Sequence, residues 1–445
     1  MMSILSKDEA QALLKKVLSY SKADECEVNL DGGDRGNIRY ARNSVSTSGG
    51  ISQATLVVSS AFGKKAGVAT INEFDDESLK KVVQRAEELA MLAPENPEYV
   101  PMLGPDNFPD SPTFVQATAD MGPKERADAV AASLQISKDN KLTAAGFLEN
   151  NTAYSAMMNS KGLFAYNTST NVSFNVTLRT EDGKGSGYAT KAYNDYRKLD
   201  VKAATATAAK KASASAAARA IEPGKYTVIL EPAAALVLLE NLFFGMDGRQ
   251  ADEGRSFMSK PGGLTKLGEK MVDERVNIYS DPYNVDLPSA TWAGDGRLQE
   301  KINWIEKGTM KNLFYSRYWA LKKGVKAVPQ PNTVIMEGSN QSLEDLIKGT
   351  EKGILVTRLW YIRNVDPQTV LLTGLTRDGT FYIENGEIKF PIKNFRFNES
   401  PIIMLNNLEA LGKPERTVSG ESNINAMIPP MKIRDFTFTS LSDAV

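Results

Sequence analysis

The chain of 445 residues contains no histidine, and its one cysteine is Cys26. Histidine titrates closest to neutrality of all side chains and is the commonest protein metal ligand. Its absence excludes a His-based zinc site, a Ser-His-Asp triad and a Cys-His pair built from this chain alone. A lone thiol excludes an internal disulfide and a Cys-rich zinc site. Charge of one sign is also missing: 53 Lys and Arg balance 54 Asp and Glu, for a net charge of −1. No long basic tract occurs, so the electrostatic footprint of a nucleic-acid binder is absent. The most apolar stretch, Tyr226 to Met246, is interrupted by Glu231, Pro232 and Glu240 and fails as a membrane span. The opening Met1–Glu9 has no basic start followed by an apolar run, so no signal peptide is expected and the expected location is a reducing cytoplasm. The sequons Asn171-Val172-Ser173 and Asn175-Val176-Thr177 then read as unmodified polar strand residues.

What is present is ordinary for a soluble globular protein: 42% apolar and 24% charged residues, with enough length for two or three domains. Residues 7–20 carry Ala10, Leu13, Leu14, Val17 and Leu18 at helical spacing. Strand-like runs follow at 25–30, 36–42, 51–60 and 64–71, then a helix opened by the acids Asp75, Asp76 and Glu77. Residues 93–120 hold prolines and little periodicity and read as a long surface connection. A third helix is predicted over 122–138, alternating strands over 143–192 with a turn at Asn159–Gly162, and an Ala-rich helix over 199–220. Glu222-Pro223-Gly224 marks a boundary. A strand at 226–230 and a helix over 232–245 follow. Beyond them come short strands, including 353–361, 370–372 and 381–384, and a late helix over 400–411. Asn385-Gly386 is a strong hairpin signal.

Four segments invite a chemical reading. Gly183-Lys184-Gly185-Ser186-Gly187 resembles a phosphate-binding loop, but no helix follows it, and a hairpin turn is expected. Ser19-Tyr20-Ser21-Lys22 has Ser-x-x-Lys spacing without the companion elements of a Ser-Lys catalyst. Asp247, Asp252 and Glu253 offer oxygen ligands for a hard cation, without EF-hand spacing; a solvated loop paired to Arg255 is the plainer reading. Thr417–Asn423 reads as a polar loop.

Pro223-Gly224-Lys225-Tyr226-Thr227-Val228-Ile229-Leu230-Glu231-Pro232, followed by an apolar helix, resembles the TldD/PmbA family of metallopeptidase-related proteins, also named modulators of DNA gyrase. Further resemblances follow in the family's order: Arg39–Ser44, Asn159–Tyr166, Arg255-Ser256-Phe257, Lys352–Thr357 and Ile383–Ile388. In active members a helix carries His-Glu-x-x-x-His and a later loop contributes a cysteine; together they hold zinc, with the glutamate as base. The resemblance places the first histidine on Glu240, the glutamate on Asn241, the second histidine on Gly245 and the cysteine on Ser419. All four groups are changed, so no catalytic residue, metal or cofactor is expected.

The pattern resembles the PmbA (TldE) subclass. That implies an α+β chain: an N-terminal α/β domain over 1–222, then a mainly antiparallel β domain over 223–445 with a curved or barrel-like sheet and the degenerate site. It implies a non-catalytic subunit, inactive on its own, that pairs with a TldD-like zinc metallopeptidase acting on unfolded peptides. The alternatives are a stand-alone homodimeric peptide-binding scaffold, and a hydrolase using magnesium or calcium on Asp247, Asp252 or Glu253.

Overall fold

A computed structural model describes residues 4–422 and 424–442. The N-terminal half contains helices α1 (Lys7–Leu18), α2 (Asp76–Leu92), α3 (Gln116–Ala119), α4 (Pro123–Asp139) and α5 (Val201–Ser215). Its strands are β1 (Glu25–Ala41), β2 (Ser44–Phe62), β3 (Lys65–Ile71), β4 (Thr143–Asn159), β5 (Phe164–Arg179) and β6 (Ser186–Tyr193). Among the described residues these make one antiparallel sheet in the order β3-β2-β1-β4-β5-β6. Ser6 and Glu9 form a capping box at the start of α1, and Asp75 caps α2 through the Ser78 amide. These caps satisfy amides that the first helical turn leaves without partners. The buried face of α1 is Ala10, Leu14 and Val17, as the spacing predicts. One core joins α1 and α2 to the sheet around Val28, Leu56 and Val83; a second joins α4 and α5 to it around Leu148, Phe174 and Ala208.

The runs expected at 25–30 and 36–42 are one strand. Asp31–Arg35, which lies between those runs, continues the β1 ladder. A side chain at Gly33 would lie 2.3 Å from the Thr152 carbonyl of β4, so the glycine serves close approach rather than a turn.

The C-terminal half opens with β7 (Gly224–Leu230), α6 (Pro232–Phe244) and α7 (Gly248–Asp252). Short pieces follow: β8 (Ser259–Lys260), β9 (Leu264–Thr265), β10 (Ile278–Ser280), β11 (Ile302–Glu306), β12 (Thr309–Met310), α8 (Arg317–Lys323), β13 (Thr333–Met336) and α9 (Leu343–Lys348). The chain then runs through β14 (Lys352–Asp366), β15 (Leu371–Glu384), β16 (Glu387–Pro391), β17 (Phe395–Glu399), α10 (Pro401–Asn406), β18 (Leu408–Leu411), β19 (Glu415–Thr417), β20 (Asn425–Ile428) and β21 (Met431–Leu441).

Strands β7, β14, β15, β17 and β21 close into a ring. The β7–β14 pair is parallel; β14–β15, β15–β17, β17–β21 and β21–β7 are antiparallel. This is the expected α+β architecture with a barrel. One face of the ring sends Val228, Leu230, Ile354, Val356, Phe395 and Phe397 into the main core; the other sends Ile229, Leu355 and Phe381 against Leu346 of α9. A second sheet runs β12-β11-β10-β13-β20-β19. The runs expected at 370–372 and 381–384 are the ends of the single strand β15, which passes through left-handed backbone at Asp378 and Gly379. The helix expected over 400–411 stops at Asn406, because Leu408–Leu411 pair with β21. Asn385 and Gly386 both take positive φ, as a two-residue hairpin requires. No helix among the described residues is long and apolar enough to cross a membrane.

Candidate functional site

Helix α6 is apolar over most of its surface and largely enclosed by protein. Pro232 occupies its first turn, where a missing amide proton costs nothing. It packs against β7 and β14 of the barrel, β19 and β20 of the second sheet, and α10. Glu240 and Asn241, on which the resemblance would place the first part of the motif, lie on it, and Gly245 caps its end. Glu240 is buried at 4% exposure on a helix whose neighbouring Leu238, Leu239 and Leu242 are also buried. The Asn241 amide donates to the Val237 carbonyl at 2.8 Å, so it is held by its own helix. Gly245 ends the helix. A Cβ there would stand 2.8 Å from two carbons of the Phe257 ring, and the Ser256 hydroxyl donates to the Gly245 carbonyl. Ser419 lies in the loop after β19 and its hydroxyl accepts the Glu421 amide at 3.3 Å. The fold thus brings Glu240, Asn241 and Gly245 onto one helix, and places Ser419 in the loop joining two strands that pack on that helix.

These residues do not fit zinc. A carboxylate and a hydroxyl stand where the resemblance puts the first imidazole and the thiolate, the amide of Asn241 cannot serve as a base, and the position that would hold the second imidazole is backed by an aromatic ring. Cys26 lies in β1, where burial pushes its thiol above the usual range. Among the described residues, no three acidic or cysteine side chains are placed to share a metal ion.

The other acids have separate partners. Asp247 caps α7 through the Gln250 amide at 2.7 Å. Asp252 accepts the Trp319 indole N–H at 2.7 Å and pairs with Lys323 at 3.4 Å. Glu253 pairs with Arg255 and with Arg249, and those hydrogen bonds hold its carboxyl below the usual range. In the Ser-x-x-Lys segment, Ser19 caps the end of α1, while the Ser21 hydroxyl and Lys22 amide both donate to Glu87. The glycine run forms the expected turn between β5 and β6, with Gly183 at φ 72°. Its other two glycines have a second use: side chains at Gly185 and Gly187 would lie 2.3 and 2.1 Å from the backbone oxygens of Ala212 and Ala208 in α5.

Two clefts between the halves carry polar groups that sequence reading missed. One, of about 350 Å³, lies where α5, β6, β19 and the start of α6 meet; Lys211 bridges both oxygens of Glu231 there at 2.7 Å, and Thr357 donates to Glu231 at 3.1 Å. The other, of about 480 Å³, lies between β4–β5 and the second sheet, and is lined by amides, hydroxyls, Trp292 and Arg416. Its residues run from Thr113 to Asn425, and no local pattern connects them.

Comparison with known proteins follows the same outline. Residues 118–219 match the PmbA/TldA metallopeptidase central domain, and residues 223–440 match the PmbA/TldA metallopeptidase C-terminal domain. The metalloprotease PmbA of Escherichia coli O157:H7 is 24% identical over 176 residues, 38% of this chain and 38% of that protein. A metalloprotease of Methanothermobacter thermautotrophicus is 23% identical over 287 residues, 59% of this chain and 60% of that protein. The matches therefore span less than two thirds of either relative's length. The crystal structure of TldE from Thermococcus kodakarensis has a TM-score of 0.86 at 19% identity, covering 96% of this chain and 99% of that one, which shows a shared fold.

Proposed function

The chain belongs to the PmbA/TldD metallopeptidase family, and from that premise we propose that it is a non-catalytic subunit of the PmbA/TldE type. It pairs with a zinc-bearing TldD-like subunit and supplies walls and peptide contacts to a shared chamber for unfolded peptides. The observation that carries this reading is at Gly245: the position where the resemblance puts a histidine faces the Phe257 ring, in a chain with no histidine anywhere.

The N-terminal sheet supports the peptide part of the reading. Strand β3 pairs with β2 only over Leu56–Phe62, and among the described residues no strand pairs with the outer edge of β2 over Ser44–Thr55. β2 carries no charged residue along its length. Exposed edges are usually blunted by charge or proline; an open, uncharged one is suited to receive an extended peptide through main-chain hydrogen bonds, which tolerate varied side chains.

The test is to co-express this chain with a family member that carries His-Glu-x-x-x-His and the loop cysteine. Light scattering reads the assembly, and hydrolysis of an unfolded peptide reads activity. A heterodimer whose activity is absent from this chain alone is the expected result. Zinc and hydrolysis in the isolated chain, or failure to associate at micromolar concentration, would overturn it. A self-dimer that excludes the zinc subunit would favour the stand-alone scaffold.

A further inference from the structure

The cleft of about 480 Å³ between β4–β5 and the second sheet is large enough for a small ligand or a chain end. Three of its lining residues carry a buried polar side-chain atom without a hydrogen-bond partner in the protein: Trp292 Nε1, Thr333 Oγ1 and Arg416 Nε. Trp292 is 9% exposed and Thr333 3%. Buried donors without acceptors are rare in folded proteins and costly. Two of these three, the indole and the guanidinium nitrogen, can only donate. The missing group is therefore an acceptor.

Charge narrows its chemistry. Among the described residues Arg416 makes no ion pair; its Nη1 donates to the Asn194 side-chain oxygen and, at 3.1 Å, to the Asp286 carbonyl. The Asp286 carboxylate is turned to Lys198 at 3.1 Å. Among the described residues no aspartate or glutamate lines the cavity. Asp286 acts on this half-buried guanidinium only at a distance, its direct partners are neutral, and burial pulls the Arg416 pKa down to about 10. The remaining lining, with Asn167, Ser169 and Asn171 on β5, suits amide groups beside the charge.

We propose that this cavity is a carboxylate site that receives the C-terminal end of a peptide, its α-carboxylate at Arg416 and its terminal amide carbonyls facing Trp292 and Thr333. The carboxylate chemistry stands on the cavity alone; its assignment to a peptide end rests on the peptide-handling role proposed above. A free amino acid offers the same carboxylate without the amides.

The experiment is calorimetric titration of the full chain with tetra-alanine, tetra-alanine amide, free alanine and acetate. Tetra-alanine is expected to bind, and the amide to bind roughly tenfold more weakly, the loss of about one charge-assisted hydrogen bond. Arg416→Gln should bring the free acid down to the level of the amide, with its melting temperature measured to confirm folding. Trp292→Phe, which keeps the ring and removes the donor, should weaken tetra-alanine and leave acetate unchanged. Equal binding of acid and amide, no binding of either at millimolar concentration, or full affinity in Arg416→Gln overturns the proposal. Tighter binding of free alanine than of tetra-alanine overturns the peptide assignment. The two readings separate in the co-expression assay. If Arg416→Gln and the wild-type chain both assemble with the zinc subunit but no acid preference exists, the carboxylate site is wrong and the pairing stands. An acid preference without assembly sinks the pairing alone.

Discussion

Phe257 decides what Gly245 can become. Restoring the histidine expected from active relatives, Gly245→His, forces the ring aside, and overpacking of this kind costs about 1–3 kcal/mol. The expected outcome is a lower melting temperature and no stoichiometric zinc, read by calorimetry and metal analysis; retained stability with bound zinc would show that the pocket still accommodates a ligand. A second residue makes stability depend on pH. Glu399 is buried at 3% exposure and accepts the Ser400 and Thr437 amides, and burial raises its pKa above the ordinary carboxylate range. The folded carboxyl keeps its proton to higher pH than the unfolded one. Unfolding therefore releases a proton in that window, and the group's contribution falls as pH rises through the folded pKa. Glu399→Gln removes that slope. The variant should gain stability relative to wild type as pH climbs from the usual carboxylate range toward neutrality, measured by urea denaturation at several pH values. Parallel curves would refute it.

Among the elements, the contact of β6 with α5 is the most demanding. Gly185 and Gly187 let the strand approach the helix backbone next to Ala208 and Ala212. Gly187→Val is expected to cost about 3 kcal/mol, because the clash is with main chain that cannot swing away; a shift in urea midpoint measures it. The same pair shows what the sequence conveys. Helices α1, α2, α5 and α6 were legible because apolar spacing and caps are local signals. The use of Gly185 and Gly187 was not, since it depends on a helix some 20 residues on. The role of Gly33 was hidden for the same reason: a glycine in a strand signals either a bend or close packing, and only the neighbouring β4 tells which. Asn407–Leu411 also read as helix, and pairing with β21 overrode that propensity. The placement of the motif on α6 rests on a family likeness rather than on a local signal. The cavity around Arg416 was not, because Asn167, Trp292, Thr333 and Arg416 come from four distant segments and become a site only when the two halves meet.

At the scale of the whole molecule, the halves are joined by polar bonds as well as packing. Lys211 of α5 and Glu231, the residue before α6, form an ion pair at 2.7 Å with both side chains 14% exposed. A second bridge joins Ser186 of β6 to Asp378 of β15 at 2.6 Å, and Asp378 also holds Arg358 at 2.9 Å. Removing one partner of a buried pair leaves the other charge uncompensated and typically costs about 3–5 kcal/mol. Lys211→Met should accordingly destabilise the chain and expose residues 216–223 to limited proteolysis, while the double change Lys211→Met with Glu231→Leu recovers part of the loss. An additive double mutant would mean that the pair carries no coupling.

The barrel's seam has a consequence for biosynthesis. β7, its first strand, is flanked by β14 and by the last strand, β21, with Gly224 opposite Phe438. The ring cannot shut until β21 has left the ribosome. At about 5–20 residues per second, translating from Leu230 to Met431 takes on the order of 10–40 s. Throughout that interval the nascent β7 and the greasy α6 wait without their final neighbours, so the long-range closure of this half is the step at which a folding helper has most to shield.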